Sequence, residues 1–269
     1  MVPQERTIKL RDLSEACLRL ACDLPSTCLR LVRDGFRFTQ HAFRFMLSRA
    51  MTAPLPLGVL ISGSGSNLQA IIDAIARQEL IARVHMVISN RADAYGLTRA
   101  QQHGIPTVVI DHNGFSSREA FEAALIQSLQ THQVELVVLA GFMRVLTPFF
   151  IRAFPQRIMN IHPALLPAFP GTHAQRQALQ YGVRIAGATV HFVDEETDHG
   201  PIITQAAVPV YPDDSEETLS ARILEQEHRL YPQAIQLFAE GRLKIRGRNV
   251  VVHNEPRAPH ATLQAPESK

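Results

Sequence analysis

Hydrophobic positions change their spacing along this chain, and those changes mark out its elements. Leu57–Ser62 is a short apolar run, and helix-period spacing follows it, with Leu68, Ile71, Ile72 and Ile75 on one face. Val84–Ser89 predicts a second strand, and Gly96–His103 predicts a helix closed by Gly104. Thr107–Ile110 is a third strand. Ser116 and Glu119 have capping-box spacing and open a helix carrying Phe121, Ala124, Leu125 and Leu129. Leu136–Ala140 is wholly apolar and gives a fourth strand. Strands that alternate with helices and are apolar on both sides imply a parallel sheet covered on both faces. The fold class predicted is therefore α/β, a mostly parallel twisted sheet with helices on both faces.

The second half is less regular. Arg157–Ile161 predicts a strand leading into a proline-rich loop, Pro163 to Gly171. Ala174–Tyr181 predicts a short helix, and Arg184–Val193 and Ile202–Val210 two further strands. Asp214 and Ser215 can cap a long last helix that runs to about Ala239. Arg242–Val251 predicts a hairpin or edge strand, and the last residues are expected to be disordered. The domain boundaries expected are 1–53 for an N-terminal extension, 54–244 for the enzyme domain and 245–269 for a tail.

Composition separates the extension from the body. Residues 1–53 carry nine Arg or Lys and five Asp or Glu; of the chain's 27 and 25 this leaves eighteen and twenty for the rest. Cys17, Cys22 and Cys28 all lie in the first segment, at spacings that match no common zinc pattern. The main body then has no thiol chemistry, as suits a reducing, cytoplasmic compartment. The extension's Arg content hints at a transit peptide, but Asp12, Glu15, Asp23 and Asp34 argue against one. Leu10, Leu13, Cys17, Leu20 and Leu24 fit an amphipathic helix, and Phe36, Phe38, Phe43 and Phe45 an aromatic patch. A native start at Met46 or Met51 fits as well. A net charge of only +2 gives no reason to expect a nucleic-acid partner, and no apolar run suffices to cross a bilayer.

Four sets of residues could carry chemistry. Ser62-Gly63-Ser64-Gly65-Ser66-Asn67 follows a strand and opens a helix, so its backbone N–H groups suit an anion, with Ser66 and Asn67 adding side-chain donors; it also reads as a tight turn with an ordinary cap. It is neither a dinucleotide nor an ATP motif. Asn160 and His162 share one side of a strand at its carboxyl end, where open α/β sheets place ligands, and an amide beside an imidazole can stabilise an oxyanion. A histidine satisfied at a strand end is the plainer alternative. The acidic run from Asp194 to Asp198 either supplies a carboxylate that pairs with His162 and raises its pKa, or is a solvated turn. Glu227 shares a helix stripe with Ile223 and Leu230, where an acid needs a partner or a ligand; a helix-edge salt bridge would also explain it. His162, His173, His191 and Asp198 have no metal-ligand spacing, so no metal is expected.

These residues sit in longer motifs: Ser62 to Leu68, Ala140-Gly141-Phe142-Met143-Arg144, Asn160 to Pro167, Gly187 to Val193, and Asp198-His199-Gly200-Pro201-Ile202-Ile203. With them the stretch from about Leu57 to Leu243 resembles the glycinamide ribonucleotide formyltransferase family of purine biosynthesis. The resemblance implies a Rossmann-like formyltransferase fold. It further implies that Gly65, Ser66 and Asn67 hold a substrate phosphate and that Glu227 contacts the glycinamide. By the same resemblance Met143, Arg144, Val145 and Leu146 are expected to line a folate pocket, with Arg118 and Asn160 as folate contacts. It likewise implies that Asn160 and protonated His162 act on the formyl oxygen, supported by Asp198. The expected co-substrate is 10-formyltetrahydrofolate, with no metal and no nucleotide cofactor, and the partners are small molecules rather than nucleic acid or membrane. A homodimer is compatible with the resemblance but is not legible in the sequence.

Departures from the family pattern are few: Ala164 stands for the usual Ser, Ser64 for a frequent Asn, and His199 for a small residue. Three rivals share the fold. A formyltetrahydrofolate deformylase would use water in place of the amine and carry an N-terminal regulatory domain, for which residues 1–53 look too short. A non-catalytic phosphoribosyl-ligand sensor would have no use for the Asn160, His162 and Asp198 set. Initiator-tRNA formyltransferase needs a further C-terminal domain. Gly65→Val is expected to weaken the phosphate-bearing substrate far more than the folate, and residues 1–53 are expected to be dispensable.

Overall fold

The computed structural model describes residues 53–255 and Ala265. The helix, aromatic patch and cysteines expected in the first segment lie outside these residues, as do most of the last residues expected to be disordered. In chain order the elements are β1 (Leu55–Ile61), α1 (Ser66–Ala76), β2 (Ala82–Ser89), α2 (Tyr95–Gln102), β3 (Thr107–Val109), α3 (Arg118–Thr131), β4 (Leu136–Leu139) and α4 (Pro148–Ala153). There follow β5 (Ile158–His162), α5 (Ala174–Tyr181), β6 (Ile185–Phe192), β7 (Ile202–Pro209), α6 (Glu216–Ala239), β8 (Leu243–Arg246) and β9 (Asn249–Val252).

Among the described residues the strands form one sheet in the order β3-β2-β1-β4-β5-β6-β7-β9-β8. The pairs from β3 through β5 are parallel, β5–β6 and β6–β7 are antiparallel, and β7–β9 is parallel again. The sheet is α/β and mostly parallel, as the alternation of elements predicts. The central strands β1 and β4 are apolar on both sides because each face of the sheet has its own helices. Leu57, Val59 and Ile61 pack with Leu68 and Ile71 of α1 and Ile223 and Tyr231 of α6. Leu60, Met86 and Val137 face the other way, onto Phe121 and Leu125 of α3 and Phe150 of α4. The chain leaves β1 for β2 and β3 on one side and returns to β4 on the other. That reversal puts the carboxyl ends of β1 and β4 side by side, the usual ligand crevice of such sheets. The Ser62 N–H donates to the Gly141 carbonyl across it at 3.1 Å.

Three local expectations differ from the structure. The cap of α3 is Ser117, not Ser116: its hydroxyl accepts from the Ala120 N–H at 3.1 Å, and its φ of −148° is the extended one that a cap adopts. Helix α4 was not expected; Pro148 starts it, at a position where a missing N–H leaves no bond unmade. A boundary after residue 244 would cut through β8, and the β8–β9 hairpin continues the sheet alongside β7 at the Ile202–Asn249 pair. At α6 the cap is Ser215, whose hydroxyl accepts from Thr218 N–H while the Thr218 hydroxyl accepts from Ser215 N–H.

Candidate active site

At the carboxyl end of β1, Gly65 takes φ +68° and hands the chain to α1 without a side-chain cap. The first N–H groups of that helix, from Ser66 onward, have no carbonyl one turn behind them and point out of the helix end. A Cβ on Gly65 would come within 2.5 Å of Gly96 Cα, so this glycine is required by the packing of two backbones as well as by its φ. Arg99, on α2, braces the turn by donating from Nε to the Ser64 carbonyl at 2.9 Å. Sequence reasoning did not single out Arg99.

Asn67 departs from expectation. Its side-chain amide does not point into the turn as a phosphate donor; it donates to Glu227 Oε2 at 2.7 Å, and its Oδ1 is buried with no protein partner. The backbone N–H groups remain for the anion. Glu227 reaches this place because Tyr231, one turn further along α6, is pinned to the sheet: its hydroxyl lies 3.0 Å from the Leu139 carbonyl and 2.9 Å from that of Met159. Burial pushes the Glu227 carboxyl above the ordinary carboxylate range, and the Asn67 hydrogen bond offsets only part of that. The helix-edge salt bridge that could have explained Glu227 is not what the structure shows.

The loops after β5 and β6 bring the second cluster together. Asn160 and His191 face one another across the antiparallel β5–β6 pair. The Asn160 amide nitrogen lies 3.2 Å from His191 Nε2 and 3.3 Å from Asp198 Oδ1. His162 Nδ1 lies 3.3 Å from Asp198 Oδ2, and its Nε2 lies 2.8 Å from the Phe169 carbonyl. Since that carbonyl can only accept, Nε2 carries a proton and Nδ1 faces the carboxylate. Gly171 N–H donates to Asp198 Oδ2 at 2.8 Å. Phe169 and Asp198 both hold positive φ, 53° and 51°, conformations that a non-glycine residue keeps only when its surroundings impose them.

Asp198 does pair with His162, but the net effect on the imidazole is opposite to the one expected. His162 is 4% exposed, and desolvation, joined by the neighbouring His191, lowers its pKa by more than the Asp198 charge and the Phe169 carbonyl raise it. Burial also works to raise the Asp198 carboxyl. The His191 hydrogen bond, the His162 ring and the Gly171 N–H together outweigh it and hold the pKa below the usual range. The pair at rest is thus an ionised Asp198 beside a histidine that favours its neutral form. His191 completes the arrangement; in the sequence it appeared only as a weak metal candidate, because its place opposite Asn160 depends on a cross-strand register.

The loop from Gly141 to Thr147 forms the third part. Ser62 Oγ donates to Asn90 Oδ1 at 2.6 Å and accepts from the Met143 N–H at 2.8 Å, tying this loop to the ends of β1 and β2. Met143 is 73% exposed and Val145 is exposed beside it, while Leu146 is buried. Arg118 donates to the Val145 carbonyl at 3.1 Å. Arg118 and Arg144 line a cavity of about 200 Å³ with Phe115 and Phe121. Buried Glu122 accepts from both the N–H and the hydroxyl of Thr147, which fixes the loop's far end. Glu122 was missed, although it lies on the Leu125 and Leu129 stripe and the argument used for Glu227 would have found it. His173 precedes α5 at φ +59°. Among the described residues no His, Cys, Asp or Glu group is arranged to hold a metal ion. No described helix is long and apolar enough to cross a membrane. A larger groove, of about 520 Å³, lies at the amino end of β2, away from these groups.

A formyl transferase family profile matches residues 57–235. The phosphoribosylglycinamide formyltransferase of Escherichia coli (strain K12) is 51% identical over 187 residues, which cover 70% of this chain and 88% of that protein. The trifunctional purine biosynthetic protein adenosine-3 of Drosophila pseudoobscura pseudoobscura is 52% identical over 190 residues, 70% of this chain but 14% of that longer one. The crystal structure of glycinamide ribonucleotide transformylase 1 from Symbiobacterium toebii matches with a TM-score of 0.73 at 56% identity, covering 74% of this chain and 94% of that one.

Proposed function

The chain belongs to the formyl transferase family, and from that premise we propose that it transfers the formyl group of 10-formyltetrahydrofolate to the primary amine of N1-(5-phosphoribosyl)glycinamide, in purine biosynthesis. One observation carries the choice of acceptor: the Asn67–Glu227 hydrogen bond of 2.7 Å. It puts a buried carboxylate, able to take an amine N–H, against the first turn of a helix whose free N–H groups suit a phosphate. A ligand with both groups fits that pair, whereas a hydrolase that activates water has no use for it.

In this reading the N–H groups of Gly65, Ser66 and Asn67 hold the phosphate, and Glu227 holds and orients the amine. The Met143 to Leu146 loop, with Arg118 and Arg144, offers an apolar rim and two cations to the folate's ring and carboxylates. 10-Formyltetrahydrofolate supplies the electrophilic formyl carbon. The Asn160 amide is shared between Asp198 Oδ1 and His191 Nε2, and in this reading one of its two hydrogens turns to the formyl oxygen when the folate binds.

When the amine nitrogen bonds to the formyl carbon, it becomes cationic and the formyl oxygen anionic. His162, neutral at rest, takes the surplus proton at Nδ1 through a water held by Asp198, because Nε2 already donates to Phe169 and Nδ1 faces the carboxylate. Asp198 accepts the new N–H and stabilises the imidazolium. The same proton then goes to N10 as the bond between N10 and the formyl carbon breaks, and His162 is neutral again. The imidazolium thus helps the oxyanion by its charge, while Asn160 supplies the hydrogen bond.

The enzyme domain of residues 54–244 works in this reading without residues 1–53, in the cytoplasm, and the hairpin beyond it is taken up below. A chain beginning at Met51 keeps activity within a few-fold. The test of the function is to mix the protein with 10-formyltetrahydrofolate, with and without the glycinamide substrate, and follow loss of the formyl group. Turnover that needs the amine supports the transferase; turnover with water alone would make it a hydrolase, and none would leave a binding protein.

A further inference from the structure

Building on the role proposed for Asp198, we infer that Arg248, in the turn of the β8–β9 hairpin, is a positioning residue that holds the Asp198 loop in its active shape by clasping His199. Arg248 Nη2 donates to the His199 carbonyl at 2.7 Å, and Nη1 lies 2.6 Å from His199 Nε2 and 3.0 Å from Nδ1. His199 Nδ1 also lies 2.9 Å from Asp194 Oδ2. The two ring nitrogens point in divergent directions, so Nη1, close to both, packs against the ring instead of lying on a lone pair; the directed bond of the clasp is the one to the carbonyl, while the Nδ1–Asp194 contact ties the ring to the start of the acidic loop.

The loop has a reason to need the clasp. Asp198 holds φ +51°, and its carboxylate must meet Gly171, Asn160 and His162 at once. The next residue but one is already fixed, because a Cβ on Gly200 would come within 1.8 Å of the Phe192 carbonyl. Between these two points the peptide after His199 is free to rotate unless its carbonyl is held, and Arg248 is the group that holds it. Arg248 is itself placed by the pairing of its neighbour Asn249 with Ile202. The last hairpin thereby reaches back to the reaction centre. His199 is one of the positions at which the sequence departs from the family pattern, so the ring half of the clasp belongs to this chain.

The experiment compares Arg248→Ala, Arg248→Lys, Asp198→Asn and the Arg248→Ala/Asp198→Asn double variant by steady-state kinetics, with thermal unfolding of each. Arg248→Ala is expected to lower kcat about tenfold, the equivalent of one charge-assisted hydrogen bond at an exposed site. KM for both substrates and the unfolding midpoint stay near those of the parent. Arg248→Lys restores part of kcat, since an ammonium can reach the carbonyl but not the ring as well. In the Asp198→Asn background Arg248→Ala adds little. His162 titrates lower by NMR in Arg248→Ala, which a merely structural contact would not cause. An unchanged kcat in Arg248→Ala, or losses that multiply with Asp198→Asn, would overturn the clasp while leaving the role of Asp198 standing. Full activity of Asp198→Asn would overturn both.

Discussion

Replacing Asp198 by Asn keeps the shape of the side chain and removes its charge, and the structure allows the cost to be bounded. At 3.3 Å from His162 Nδ1, and with an effective dielectric constant of about 20, the attraction between carboxylate and imidazolium is about 5 kcal/mol. Part is lost to the desolvation that already lowers the His162 pKa, and Asn retains an oxygen for the Gly171 N–H. The remaining deficit resembles the loss of one oxyanion-stabilising group, about 2.7 kcal/mol or a hundredfold in kcat. The two KM values should barely move, because the charge is used after binding. The pH profile gives the sign. His162 must be neutral to accept a proton, so kcat/KM falls as pH drops through its depressed pKa, below the ordinary 6.5. Without Asp198 that pKa is lower still; the acid limb moves to lower pH while the plateau falls, and NMR of the His162 ring shows the same shift. His162→Ala should cost a similar factor, and the double variant little more. Losses that multiply would show the residues acting independently, and a fully active Asp198→Asn would show that the acidic loop is only a solvated turn.

Glu227→Gln should raise KM for the glycinamide substrate at least tenfold, the loss of one charged hydrogen bond, with little effect on the folate. The folded pKa of Glu227 is raised, so its contribution to stability is present below 4.5 and lost as pH rises. The neutral Gln should therefore melt higher than the parent at neutral pH, and calorimetry at pH 4 and pH 7 checks the sign. Gly65→Ala should lower the melting temperature as well as affinity for the phosphate-bearing substrate, since the new Cβ meets Gly96; unchanged melting with a pure binding loss would restore the simpler expectation drawn from the sequence. Tyr231→Phe leaves the carbonyls of Leu139 and Met159 without their shared donor and should cost about 1–3 kcal/mol in urea denaturation, with KM for the glycinamide rising if Glu227 shifts with α6.

The spacing of apolar residues determined the α/β class and nearly every element from Leu57 to Ala239, because helix and strand periods are local properties of the chain. The motifs likewise determined which groups meet at the carboxyl ends of the strands. Asn160 and His162 needed only strand alternation, and Glu227 only a helix stripe. What each group touches was decided by tertiary structure. Asn67 and Glu227 are 160 positions apart, and no local pattern could show that the amide is spent on the carboxylate rather than on a phosphate. Glu122 and Arg99 are ordinary helix residues until α4 and the Ser64 turn pack on them. His191 gains its place from the β5–β6 register, and Arg248 from a hairpin that the sequence placed at the edge of the domain. The pKa of His162 is the sharpest case. A carboxylate nearby can be guessed from a motif and has the sign of a raised pKa. The opposing desolvation depends on how completely the surrounding chain closes over the ring, which only the folded protein determines.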